Sequence, residues 1–153
     1  MSLEHRFYLI PITTDLKGFW SNKDKDNCII DKVVIHDNII QYISDTLEWV
    51  PSKNPAKLGN PIGQGINYYG VTLFDNESSI RLKGIFTSWR DLFGNAPDPL
   101  FLTGNYVDGN NEQDGVYDKI VINRDEVIKQ FNQIIAFSEC LSKGHYYLYH
   151  LGI

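Results

Sequence analysis

VINRDEVIKQFNQIIAFSECLSKGHYYLYHL, residues 121–151, reads as the end of one strand, then a helix, then a second strand. Val121 and Ile122 close a β-rich run that begins near Tyr117. Asn123 offers a side-chain oxygen to the first free amides of a helix. Glu126, three residues on, is placed to reach back, a capping box with Asn in place of Ser or Thr. Val127, Phe131, Ile134, Ile135, Ser138 and Leu141 recur at helical spacing and share one face. Lys143 suits the negative end of that helix, and Gly144 can take the left-handed conformation that stops it. His145 to Leu151 then forms an aromatic strand.

Working outward, Arg6 to Thr13 reads as a buried first strand, with Pro11 marking an edge or a bulge because it cannot donate to a ladder. Asp15 to Asn27 is a polar loop in which Trp20 either plugs the core or sits in a contact patch. Cys28 to Ile35 is a strand. Asp37 caps a helix to about Val50, with Ile39, Ile43, Leu47 and Val50 on one face, Ile40 beside them, and Pro51 ending it. Ser52 to Asn67 is rich in Gly and Pro and reads as a long loop. Tyr68 to Phe74 and Ile80 to Phe86 pair as a hairpin across Asp75–Ser79. Thr87 and Ser88 cap a short helix, Trp89 to Phe93, and Pro97-Asp98-Pro99 forces a turn. Leu100 to Val107 is a strand, and Asp108 to Gly115 an acidic loop. The pattern predicts one α+β domain over residues 1–153, a mainly antiparallel sheet of about six strands with two long helices packed on one face. Met1-Ser2-Leu3 reads as a cloning remnant.

The chain has 153 residues, 42% hydrophobic and 22% charged, as in ordinary globular proteins. Nine Tyr, eight Phe and three Trp are enough both to fill a core and to furnish a contact surface. A net charge of −5 argues against a dominant phosphate-binding role, and so against nucleic acid; it fits solubility alone first, and is also compatible with a basic partner. Cys28 and Cys140, each in an apolar stretch, read as reduced core cysteines of a cytoplasmic protein. No apolar run is long enough to span a membrane, and Glu4, His5 and Arg6 interrupt any leader core.

No motif carries a catalytic, cofactor or metal signature. Asp108-Gly-Asn-Asn-Glu112-Gln-Asp114 alternates oxygen ligands, but Gln113 and Lys119 stand where a calcium loop needs Gly and a carboxylate. Gly59, Gly63 and Gly65 lack the spacing of a dinucleotide fingerprint and the Lys of a phosphate loop. His145 and His150, five apart on one strand, point to opposite faces, and His5 and His36 stand alone, so the histidines read as surface or satisfied side chains. Ser138-Glu139-Cys140 lies mid-helix with no nucleophile elbow. Asp24 and Asp26 sit in a polar loop that would not raise a carboxyl pKa. Trp89 and Arg90 on a short helix form a contact hot spot, or else Trp89, Leu92 and Phe93 anchor that helix while Arg90 and Asp91 face solvent.

The acidic loop Asp108 to Asp114, Trp89 in its Thr-Ser-Trp-Arg-Asp setting, and the aromatic tail Tyr146 to His150 give a chain that resembles, in type, the immunity proteins of bacterial polymorphic toxin systems. That resemblance implies a cytoplasmic protein that neutralises a cognate toxin, often a nuclease, by binding it. Trp20, Trp89, Arg90, Asp98, Asp108, Glu112 and Asp114 are then the candidate contact residues for a basic protein toxin. Two other readings stand beside it. One is an enzyme or small-ligand binder with Gly59–Gly65 as a lid over Tyr68, Tyr69 and histidines. The other is a subunit that self-associates through a free edge at Tyr146–Leu151.

Overall fold

The structure is a computed structural model that describes residues 3–19, 28–56, 63–109 and 114–153. Strand β1, Glu4–Pro11, is buried on both faces: His5, Phe7 and Leu9 point one way, Tyr8 and Ile10 the other. Such a strand belongs in the interior of a covered sheet. It pairs antiparallel with β2, Asp31–His36, on one side and with β8, Tyr146–Leu151, on the other. β5, Val71–Phe74, completes the four-stranded order β2-β1-β8-β5. The fold is α+β, but its main sheet has four strands. Two further pairs stand apart from it: the short β3 (Pro51–Ser52) with β4 (Gly63–Gln64), and a longer ribbon of β6 (Leu100–Val107) with β7 (Val116–Ile122).

Three helices among the described residues build the core on one face of the sheet: α1, Asp37–Leu47; α2, Ser79–Phe93; and α3, Arg124–Leu141. Phe7, Leu9, Val33, Ile35, Phe74 and Leu148 meet them from the strands. On the opposite face Phe19, Leu16, Cys28 and Ile29 cover Tyr8, Ile10, Leu73 and Tyr149. The helical period was a sound guide. Val127, Phe131, Ile134, Ile135, Ser138 and Leu141 of α3 are all buried, as are Ile39, Ile40, Ile43, Leu47 and Val50 around α1. Asn123 Oδ1 accepts from the Glu126 amide at 2.9 Å, and Gly144 takes φ +81° after α3.

Four expectations change. The cap of α1 is His36, whose Nδ1 accepts from the Asn38 amide at 3.0 Å; Asp37 is buried instead, and the helix stops at Leu47, ahead of Pro51. Residues 80–86 are not a hairpin partner of β5. They are the first half of α2, entered through a 3₁₀ turn at Asn76–Ser78 that Asp75 and Ser78 cap reciprocally. The short helix at Trp89–Phe93 is the end of that same helix. Leu82, Phe86 and Phe93 sit at helical spacing and are buried; Gly84 and the flanking cations masked the period. Pro11 does lie at a local edge, because β2 pairs β1 only as far as Leu9. β8 has neighbours on both sides, so the free edge expected at Tyr146–Leu151 is absent.

Candidate functional site

The β6–β7 ribbon puts apolar side chains into solvent. Leu100 and Ile120 turn toward the core, so Phe101 and its partner Val121 face outward. A register shift between Thr103 and Tyr106 re-aims the outer half of the ribbon. Beyond it Tyr106 pairs Tyr117, with ring centroids 5.2 Å apart and edge-to-face, and Val107 pairs Val116. Phe101, Tyr106, Val107, Val116, Tyr117 and Val121 are between 47% and 66% exposed. Asp108 and Asp114 lie exposed at the outer end. Gly115 leaves room for the Tyr106 hydroxyl, which a Cβ there would strike. The base is tied down: Asp98 accepts from the Arg124 amide at 3.3 Å, and the Arg124 guanidinium donates to the Ala96 carbonyl at 2.8 Å.

The other candidate residues lie on α2. Trp89 is half-buried, and its indole N–H donates to Thr46 Oγ1 at 3.0 Å; its ring meets Tyr42 and Phe93. Arg90 bonds Asn132 at 3.1 Å and its neighbour Asp91 at 3.1 Å. These two side chains therefore tie α2 to α1 and α3, while Leu92 is exposed rather than anchoring. Trp20 and Glu112 lie outside the described residues, as do Gly59 and most of the lid loop.

The third arrangement joins histidines that the sequence marks only as surface or satisfied side chains. His5 and His150, both fully buried, stand with Nδ1 and Nε2 2.9 Å apart. His5 Nε2 reaches Asp37 Oδ1 at 3.0 Å, and His150 Nδ1 lies 3.4 Å from Thr72 Oγ1. Asp37 also accepts from the Tyr68 hydroxyl and, at 2.9 Å, from Gln41 Nε2. Thr72 Oγ1 accepts from the Asn67 amide at 2.7 Å. One direction of donation satisfies the whole set: Thr72 O–H to His150, His150 N–H to His5, His5 N–H to Asp37. Both imidazoles are then neutral. Burial pushes His150 down to about 3, helped by the adjacent His5. Burial also lowers His5, against the pull of Asp37. Burial, reinforced by the bond to Asp37, pushes the Tyr68 phenol up to about 12.

A hydroxyl backed by imidazole and carboxylate has the order of a nucleophile and its base. Its energetics do not suit that work. A base with a pKa of about 3 takes almost no proton at neutral pH, and Thr72 is only 3% exposed. Thr72, Asn67, Gln64 and Gly65 do line a cleft of about 370 Å³. The sequence held one cue to the pair. His5 shares the parity of Phe7 and Leu9, and His150 that of Leu148, so both fall on the buried face. His145, by contrast, precedes β8 and is exposed.

No protein-family model matches this chain, and no curated protein or solved structure matches it. Among the described residues no group of three or more His, Cys, Asp or Glu is arranged to hold a metal ion, and no helix is long and apolar enough to cross a membrane.

Proposed function

We propose that this chain is a small acidic cytoplasmic binding protein that lays the β6–β7 ribbon on a basic surface of a partner protein, as an immunity protein occupies its toxin. One observation carries the reading: six large apolar side chains stand in solvent on a ribbon whose outer end bears Asp108 and Asp114. A two-stranded ribbon gains little stability from its own pairing, and exposed apolar patches of this kind mark contact sites. Tyr side chains bring large rigid contact area, which slows release. Carboxylates on a chain of net charge −5 speed the encounter with a cationic surface. The basic cleft of a nuclease toxin is the class of target that fits.

The test is capture from a lysate of the native host at low and moderate salt, with the chain and its Tyr106→Ala/Tyr117→Ala variant as baits. A stoichiometric basic partner that weakens with salt and is lost from the variant supports the reading. Equal capture by both baits removes the ribbon from it, and a partner that is acidic or nucleic acid overturns it.

A further inference from the structure

The outward face of α2 is a second exposed apolar surface, and it has a pattern of its own. Ile80, Gly84, Ser88 and Leu92 recur every four residues along it, so they form one ridge about 18 Å long. The end residues are large and open to solvent, Ile80 at 84% and Leu92 at 59% exposure; the middle two are small. Beside the ridge runs a groove of about 500 Å³, walled by Thr46, Trp49, Ile85 and Trp89. Trp49 is 57% exposed there.

Gly84 is the residue that calls for explanation. It sits in mid-helix, where glycine costs about 1 kcal/mol relative to alanine. A Cβ at this position would meet nothing within 4 Å. No contact among the described residues requires the missing side chain, whereas a helix from outside could approach the backbone closely at this point.

We propose that the occupant is a second copy of this chain, with the two α2 helices packed antiparallel about a two-fold axis near Phe86. The pattern is self-complementary under that operation. Gly84 of one copy faces Ser88 of the other, so the helices cross at their small residues. Ile80 of each copy meets Leu92 of its mate, and each Trp49 closes one side. Ridges of four-residue spacing interdigitate at a crossing of about 50°, the commonest helix packing. The charges agree. Arg81 and Lys83 stand in the first half of α2 and the Arg90–Asp91 ion pair near its end, so the antiparallel arrangement sets the cations of one copy beside Asp91 of that pair in the other. A parallel arrangement would set cation against cation. Arg81 makes no ion pair among the described residues. Such an interface is isologous, the form that closed dimers take. It uses neither β8 nor the ribbon and stands independently of the function proposed above.

Sedimentation equilibrium across a wide concentration range tests the dimer. The native chain is expected to pass from monomer to dimer with a dissociation constant on the order of micromolar. Gly84→Arg should weaken that constant at least about tenfold while keeping a cooperative thermal transition, because a Cβ at this exposed position meets no described atom within 4 Å. Ile80→Glu, at the most exposed position, should do the same. A native chain that stays monomeric at every concentration, or a Gly84→Arg variant that dimerises as tightly as the native chain, overturns the proposal.

Discussion

Between β1 and β8, two imidazoles, a carboxylate and a threonine hydroxyl lie inside the molecule; on β6 and β7, six large apolar side chains lie outside it. Both regions reverse the ordinary placing of side chains, and they do so for different reasons. Every polar atom of the buried set has a partner within the chain. Its chemistry is therefore complete, and it joins β5, β8, β1 and α1 into one unit. The ribbon's apolar atoms find no such completion among the described residues, which is the observation the proposed contact surface rests on. An inverted region that is satisfied speaks to stability; one that is unsatisfied speaks to binding.

That contrast can be broken most severely at Asp37. Asp37→Ala strands the donors of His5, Tyr68 and Gln41, and should cost about 4 kcal/mol in urea unfolding. A loss within experimental error would mean that the network does not hold these elements together. Acid should act next most strongly. Both buried histidines have pKa values below the ordinary 6.5, His150 at about 3. The unfolded chain then binds protons that the folded chain refuses. The stability is present above about pH 6.5 and declines as pH falls toward 3, by about 2 kcal/mol from His150 alone between pH 6.5 and 4.5. Urea midpoints that stay level from pH 7.5 to 4.5 would contradict neutral burial of the pair.

On the exposed side the effects on folding should be small. Gly84→Ala, read at concentrations low enough to keep the chain monomeric, should raise stability by about 1 kcal/mol, since the helix gains a better former and no clash. A loss there would mean that the helix face is already in contact with something. Tyr106→Ala with Tyr117→Ala should move the unfolding free energy by less than about 1 kcal/mol. A larger fall would make the ribbon a structural element and weaken its claim as a binding surface.

The two regions also differ in how readable they were. α1 and α3 announced themselves because each repeats its apolar face over several turns, and Asn123 and Gly144 mark the bounds of α3 chemically. β6 and β7 were legible as strands, but strand alternation looks the same in a main sheet and in a detached ribbon, so their separation was not. α2 was half-read as a strand because Arg81, Lys83 and Gly84 interrupt its apolar spacing. The histidine network needed the register that sets Phe7 opposite His150. Nothing local to either segment specifies that pairing; parity could place each imidazole on the buried face, but not beside the other.

The position of β8 has a kinetic consequence. It lies between β1 and β5, and its pairing with β1 joins residues separated by nearly the whole sequence. Contacts of such high sequence separation slow folding, because the loop must close before pairing rewards it. During synthesis β1 can pair with β2 as soon as both have emerged, but one flank of β1 and one of β5 stay open until residues 146–151 arrive. Until then the nascent chain carries two apolar strand edges that other chains can pair with.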